Sequence, residues 1–237
     1  MLTSRIKSVW RPEAFVFDMD GVLVDSERPL LAVLQRLLVA AGVQPRACDL
    51  RQVCGRPAGF LRLTLSGYLG EGPDLEAFLE RYAAAREQLI EDGAIRAFDA
   101  ASVVLSLLKH RGVGLAVATS THAEPAFERL ERTGLLHWFD HVVTGDQVVS
   151  GKPAPDIFLL AAERLGVPAK ACLVVEDSPA GIEAARNAGM MVFAIATTFA
   201  VGELGMADRV FGTLNDLHSF LSEQDRSQRH LIDTPQR

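Results

Sequence analysis

The sequence predicts an α/β protein: a parallel sheet with helices on its faces, interrupted after its first strand by an all-helical insertion. Three observations carry this. From position 101 onward, short apolar runs alternate with amphipathic stretches of helical length, the pattern of successive βαβ units. One more apolar run, "AFVF" at 14–17, stands alone far upstream. Between the two, over about 27–95, the sequence reads only as helix or turn.

"AFVF" is a short buried strand whose end carries Asp18 and Asp20 in "DMDG". In "ERPLLAVLQRLLVAAG", Leu30, Leu31, Val33, Leu34, Leu37 and Leu38 suit one helical face, and Pro29 is tolerated in a first turn. "DLEAFLERYAAAREQLIEDG" is a second helix, closed by Gly93. These form an inserted cap, 27–96, flanked by a core made of 1–26 and 97–237. In that core "AASVVLSLLKHRG", "PAFERLERTGL", "PDIFLLAAERLG" and "PAGIEAARNAG" read as helices. "VGLAVATS", "HVVTG", "ACLVVEDS" and "MVFAIAT" read as the strands between them. Residues 1–13 are a polar lead-in, and the closing "SEQDRSQRHLIDTPQR" is polar enough to fray.

The 237 residues are 49% hydrophobic and 23% charged, which provides for a sizeable core. A net charge of −6 and a pI near 5.5 argue against a nucleic-acid-binding surface. No apolar segment of signal-peptide type follows Arg5 and Lys7. The longest near-apolar stretch, 30–43, is too short to span a bilayer and is broken by Gln35 and Arg36. Cys48, Cys54 and Cys172 lack metal-ligand spacing, and an odd number without a secretion signal implies reduced thiols in the cytoplasm. Cys172 is expected in the core and the other two in packing roles. With no coiled-coil seam, the chain is expected to be a monomer.

Parallel sheets bind ligands at the carboxyl ends of their strands. Four such places carry chemistry here. The first strand ends in Asp18 and Asp20, the second in Thr119, Ser120 and Thr121; Lys152 precedes a helix in "SGKPAPDIF", and "CLVVEDSPAG" ends in Glu176 and Asp177. Each has a plainer reading alone: an acidic turn, a helix cap, a solvated lysine. Yet lysine is scarce, occurring only as Lys7, Lys109, Lys152 and Lys170. Carboxylates converging at one sheet edge repel unless a cation holds them. A hard cation such as Mg²⁺ takes oxygen ligands, and a lysine with hydroxyl donors beside it holds an anion. Together these describe a phosphoryl-transfer site.

These residues resemble the haloacid dehalogenase superfamily of aspartate-nucleophile phosphotransferases. The four motifs stand in order as "DMDGVLVDSE", "AVATST", "GKPAPDIF" and "VVEDSPAGIEAA". The resemblance implies a Rossmann-like core and a small α-helical cap, the subgroup of phosphoglycolate phosphatase, sugar-phosphate phosphatases and β-phosphoglucomutase. It further implies that Asp18 is the nucleophile, forming an aspartyl-phosphate. Asp20 is the general acid/base and lends a backbone carbonyl to Mg²⁺. By the same resemblance Thr119 binds phosphoryl oxygens, Ser120 lends a backbone N–H, and Lys152 neutralises nucleophile and phosphate. Asp18, Asp20, Glu176 and Asp177 are the implied metal set, with Asp177 the principal carboxylate. The scheme needs Asp18 ionised and Asp20 protonated when the leaving group departs.

The expected activity is therefore Mg²⁺-dependent hydrolysis of a small phosphorylated metabolite, such as a sugar phosphate. Dehalogenation is disfavoured because Asp20 is present. An inactive scaffold is disfavoured because every motif residue is intact. The alternative is a β-phosphoglucomutase-type phosphotransferase. That branch carries a histidine where Leu30 stands, a lysine where His122 stands, and a cap arginine at a different offset from Gly55 than Arg56. Substrate choice is assigned to Glu27, Arg28, Arg56, Arg62 and His122, with Arg56 foremost. "IRAFDAAS" replaces the usual Pro-Gly at the exit from the cap, so an altered hinge is expected between Arg96 and Ala100.

Overall fold

A computed structural model describes residues 11–44, 50–56, 58–70 and 73–232. The readings made for Cys48 and for residues 1–10 lie outside them. In chain order the core begins with β1 (Ala14–Phe17) and β2 (Val24–Asp25). The insertion follows as α1 (Glu27–Ala40), α2 (Ala58–Leu69) and α3 (Pro73–Glu91). The core resumes with β3 (Arg96–Ala97), α4 (Ala101–His110), β4 (Gly114–Ala118) and α5 (Ala123–Arg132). Then come β5 (His141–Val143), α6 (Asp156–Leu165), β6 (Cys172–Glu176) and α7 (Pro179–Asn187). The core closes with β7 (Met191–Ile195), β8 (Arg209–Phe211) and α8 (Leu214–Ile232).

Six strands form one parallel sheet in the order β5-β4-β1-β6-β7-β8. β1 lies inside it, and all four of its residues are buried. That explains a continuous apolar run where a one-sided strand would alternate: helices cover both faces. Successive side chains still point to opposite faces. Phe15 and Phe17 join Leu105, Leu108, Leu217 and Leu221 on one side. Val16 joins Ala116, Ile157, Phe158 and Ile182 on the other. The α/β expectation therefore holds.

Besides the two-residue strands β2 and β3, two core elements were not anticipated. β8 is only three residues long and carries no alternation of its own. α8 contains much of the segment expected to fray, and it runs helical to Ile232. Its start explains this: Leu214, Leu217 and Leu221 are spaced to pack on the sheet. Further along, Arg111 donates to the Leu221 carbonyl at 2.6 Å and pairs with Asp225 at 2.9 Å.

The inserted helices have a separate core of Leu34, Leu38, Leu50, Leu65, Leu75 and Phe78. Their base is a small antiparallel ribbon in which Val24 faces Ala97 and Asp25 faces Arg96. The Phe98 N–H donates to the Leu23 carbonyl at 2.9 Å. The cap thus leaves and rejoins the core through two paired strands. Among the described residues no helix is long and apolar enough to cross a membrane.

Candidate active site

The chain leaves β1 to build β4 and β5 on one side, then crosses over to build β6 and β7 on the other. The strand order reverses at β1, and a crevice opens there at the carboxyl edge. Asp18 is the first residue beyond β1, and its N–H still continues the ladder to the Val175 carbonyl at 2.9 Å. Thr119, just beyond β4, does the same to the Val143 carbonyl at 3.0 Å. Gly21 turns the chain away with φ near 81°, and a side chain there would collide with the Asp177 carboxylate.

Lys152 organises the floor of the crevice. Its side chain is buried, and Nζ donates to Asp18 Oδ1 at 2.5 Å, Glu176 Oε1 at 2.8 Å and the Ala118 carbonyl at 3.2 Å. An ammonium has three protons, so all are used. Glu176 is equally occupied. Its second oxygen accepts from the Asp177 N–H at 2.7 Å, the Ser178 N–H at 2.8 Å and the Ser178 hydroxyl at 3.0 Å. Asp177 differs: it is buried, and its Oδ2 has no hydrogen-bond partner.

Burial pushes Asp18 and Asp177 well above the usual carboxylate range, and repulsion from Glu176 adds to it. Lys152 pulls Asp18 back without reversing the outcome, while its own proton is held more tightly than usual by the two carboxylates despite burial. One lysine does not neutralise three buried carboxylates. A divalent cation fits this donor set, because the orphaned Asp177 oxygen needs a counter-charge and oxygen ligands suit Mg²⁺. Glu176 is more heavily engaged, with three donors on Oε2 and Lys152 on Oε1. Among the described residues, no group of three His, Cys, Asp or Glu side chains converges as a ready metal cage.

Asp20, two residues on, has different surroundings. Its Oδ1 accepts from Ser26 Oγ at 2.5 Å and from Arg129 Nη1 at 2.5 Å. Its Oδ2 accepts from Thr121 Oγ1 at 2.8 Å. Burial would raise its pKa, but the Arg129 charge and these three donors bring it below the usual range. The two aspartates are thus driven apart, as two distinct roles require. With protein charges alone, however, the signs are the reverse of those expected from the sequence. The counter-charge near Asp18 is too small, and Arg129 supplies one at Asp20.

Above lies a cavity of about 390 Å³. It is lined from the core by Asp18, Asp20, Thr119, Ser120, Thr121, His122 and Arg129, and from the insertion by Glu27, Leu30, Arg56, Tyr82 and Arg86. Most residues picked out from the sequence therefore meet at one place, with Lys152, Glu176 and Asp177 packed beneath. Two do not. Arg28 is exposed and pairs with Asp25 at 2.6 Å; Arg62 is exposed and pairs with Glu76 on α3. Neither lines the cavity, which corrects their assignment to the leaving group.

The cap loop is seated on the core. Ser120 Oγ donates to the Gly55 carbonyl at 3.0 Å, and Gly55, with φ near 71°, packs against the Ser178 side chain so closely that no Cβ fits. Beside this loop, burial and the nearby Asp20 push Glu27 up to about 7, while the Cys54 side chain, the Arg129 charge and the Gly55 backbone pull it the other way. Sequence reasoning missed Tyr82, Arg86 and Arg129 as site residues. Tyr82 and Arg86 are four apart on α3 and so share a face. Arg129 lies beside Ala126 and Leu130 on the buried face of α5, and an arginine on an apolar face was the available signal.

Residues 15–195 match the haloacid dehalogenase-like hydrolase family, and the chain belongs to it. It is, within that family, a phosphoric monoester hydrolase. Among its relatives is the Phosphorylated carbohydrates phosphatase of Thermotoga maritima, 38% identical over 75% of this chain and 82% of that protein. Another is Fructose-1-phosphate phosphatase YqaB of Escherichia coli, 34% identical over 76% of this chain and 94% of its own. A crystal structure of a hydrolase from Pseudomonas syringae superposes with a TM-score of 0.76 at 30% identity, covering 89% of this chain and 98% of that one.

Proposed function

We propose that this chain is a Mg²⁺-dependent phosphatase of a small phosphorylated metabolite, a sugar phosphate, working through an aspartyl-phosphate on Asp18. The observation that carries this reading is the pairing of Asp18 with Lys152 beside a buried Asp177 whose Oδ2 is unpartnered. Asp18 and Asp177, with the Asp20 backbone carbonyl, would hold the cation, which when bound supplies charge to the phosphoryl oxygens and keeps Asp18 ionised. Glu176 serves through Lys152 and the 176–178 turn.

Asp18 attacks phosphorus while the Thr119 hydroxyl holds oxygens on which charge develops and Lys152, its three protons spent on Asp18, Glu176 and Ala118, supplies its positive charge beside them. The bond to the leaving oxygen breaks, and Asp20 gives that oxygen its proton. A dianionic phosphoryl group beside Asp20 raises its pKa and offsets the pull of Arg129. Asp20 then takes a proton from water as that water attacks the aspartyl-phosphate. Glu27, Arg56, Tyr82, Arg86 and His122 face the leaving group, and a polyol suits this mixture of acceptors and donors. Both relatives quoted above are named for phosphorylated carbohydrates, which supports a sugar. Leu30 lines the cavity where a mutase carries histidine, which favours water over a second sugar as the acceptor.

The test is phosphate release from hexose 1- and 6-phosphates, phosphogluconate and phosphoglycolate with Mg²⁺, beside EDTA and Asp18→Asn. Release that needs Mg²⁺ and vanishes in Asp18→Asn is expected, with hexose phosphates ahead of phosphoglycolate. Conversion of β-glucose 1-phosphate to glucose 6-phosphate without phosphate release would overturn the hydrolase reading in favour of the mutase.

A further inference from the structure

Arg129 is only 5% exposed, on a helix face that is otherwise apolar. Burying a guanidinium is costly, and one ion pair with incomplete hydrogen bonding compensates poorly. Arg129 has that deficit: Nη1 meets Asp20 at 2.5 Å, while Nε is buried without a partner. An apolar residue would serve packing better here, next to Ala126 and Leu130. The side chain is also a partition. It borders the catalytic cavity on one side and, on the other, a cavity of about 400 Å³ at the base of the cap, beside Gly93, Arg96 and Arg132. It reaches from the hinge to the second aspartate.

We infer that Arg129 is a positioning residue for Asp20, fixing that carboxyl in the plane from which it reaches the leaving oxygen. The inference rests on the reading of Asp20 as general acid. Three donors on three segments determine the carboxyl: Ser26 at the start of α1, Thr121 after β4, and Arg129 from α5. Oδ1 carries two of them and Oδ2 only one, which leaves Oδ2 with acceptor or proton-carrying capacity toward the cavity. Neither hydroxyl brings a charge, and each can rotate. Arg129 is the rigid member of the set.

The chemistry provides a selective test. When Asp18 displaces an alkoxide, the leaving oxygen must receive the proton of Asp20. When it displaces 4-nitrophenolate, the oxygen departs as a stable anion and needs none. Values of kcat/KM for a hexose phosphate and for 4-nitrophenyl phosphate report formation of the aspartyl-phosphate in both cases. Arg129→Met is expected to lower the hexose phosphate value about 10- to 100-fold and the nitrophenyl value less than about threefold. Arg129→Lys restores part of the loss. In an Asp20→Asn background, Arg129→Met adds nothing further, because it acts through the missing carboxyl.

Equal losses on both substrates, no loss on either, or a full additional loss in the Asp20→Asn background would each overturn the inference. Should Arg129→Met not fold, Arg129→Lys and Thr121→Val carry the same test, with a smaller selective loss expected from each. The underlying reading fails separately. If Asp20→Asn itself affects both substrates alike, Asp20 is not the acid. If Asp20→Asn is selective and the Arg129 variants are not, only the role of Arg129 is lost.

Discussion

The floor of the catalytic cavity and its roof are built on different principles. On the floor, Lys152 spends all three protons on Asp18, Glu176 and Ala118, and Glu176 spends both oxygens on Lys152 and the 176–178 turn. The roof is less committed. Arg86 keeps a buried Nε without a partner, and Arg56 lies over the Phe60 ring at 4.5 Å. A surface whose hydrogen bonds are already made is preorganised for a fixed charge pattern, which on the proposed function is the phosphoryl group. A surface with donors in reserve is suited to something that varies, which on the same proposal is the leaving group.

Breaking the floor should have the largest effect. Lys152→Met leaves Asp18 and Glu176 buried without their cation, and removing one partner of a buried pair costs about 3–5 kcal/mol. For a chain of this size that corresponds to a melting temperature lower by roughly 10 °C. Turnover should fall about 10²- to 10³-fold, as when one preorganised donor is lost, and by a similar factor for every substrate. Calorimetry and a substrate panel measure both. A variant that kept its melting temperature, or lost activity on one sugar phosphate only, would erase the distinction drawn between floor and roof.

The roof should respond in the opposite manner. Arg86→Met and Arg56→Met are expected to raise KM about tenfold for the preferred sugar phosphate, with kcat within about threefold. For 4-nitrophenyl phosphate, which offers the roof no hydroxyls, KM should hardly move. The melting temperature should stay within about 2 °C, since neither side chain completes a buried ion pair. Steady-state kinetics on the two substrates settle it. Uniform loss of kcat would mean that these arginines serve the phosphoryl group and that the roof is part of the floor's machinery.

The same contrast governs what could be read in advance. Asp18, Thr119 and Asp177 each lie within two residues of the end of an apolar run, so once the runs are strands of one parallel sheet, chain connectivity alone gathers them at one edge. Lys152 joins them from the loop before α6. Arg129, Tyr82 and Arg86 sit on helices. Periodicity tells which face a helix buries, but not which partner lies opposite, and that is decided by how the cap sits on the core. Arg28 and Arg62 show the same limit from the other side: a place in the inserted segment did not bring them into the cavity, because Asp25 and Glu76 hold them outside. β8 and the polar half of α8 are stabilised by contacts with the sheet and by Arg111, which local composition does not encode.

The smallest effect belongs to Glu27, where roof meets floor. Its carboxyl is pushed up to about 7 from an ordinary value of 4.5, first by burial and then by Asp20, against the Cys54 side chain, the Arg129 charge and the Gly55 backbone that favour its charge. A carboxyl raised on folding binds its proton more tightly folded than unfolded. Its contribution to stability is fully present below about pH 4.5 and is lost as pH rises through 7. Across that window the native state loses, relative to a neutral isostere, on the order of 2–3 kcal/mol. Melting temperatures of the parent chain and of Glu27→Gln, taken in EDTA from pH 5 to pH 8, should therefore diverge, with the glutamine variant gaining as pH rises. Parallel curves would mean that water reaches Glu27 freely and that the loop from Cys54 to Arg56 does not seal the roof against the core in solution.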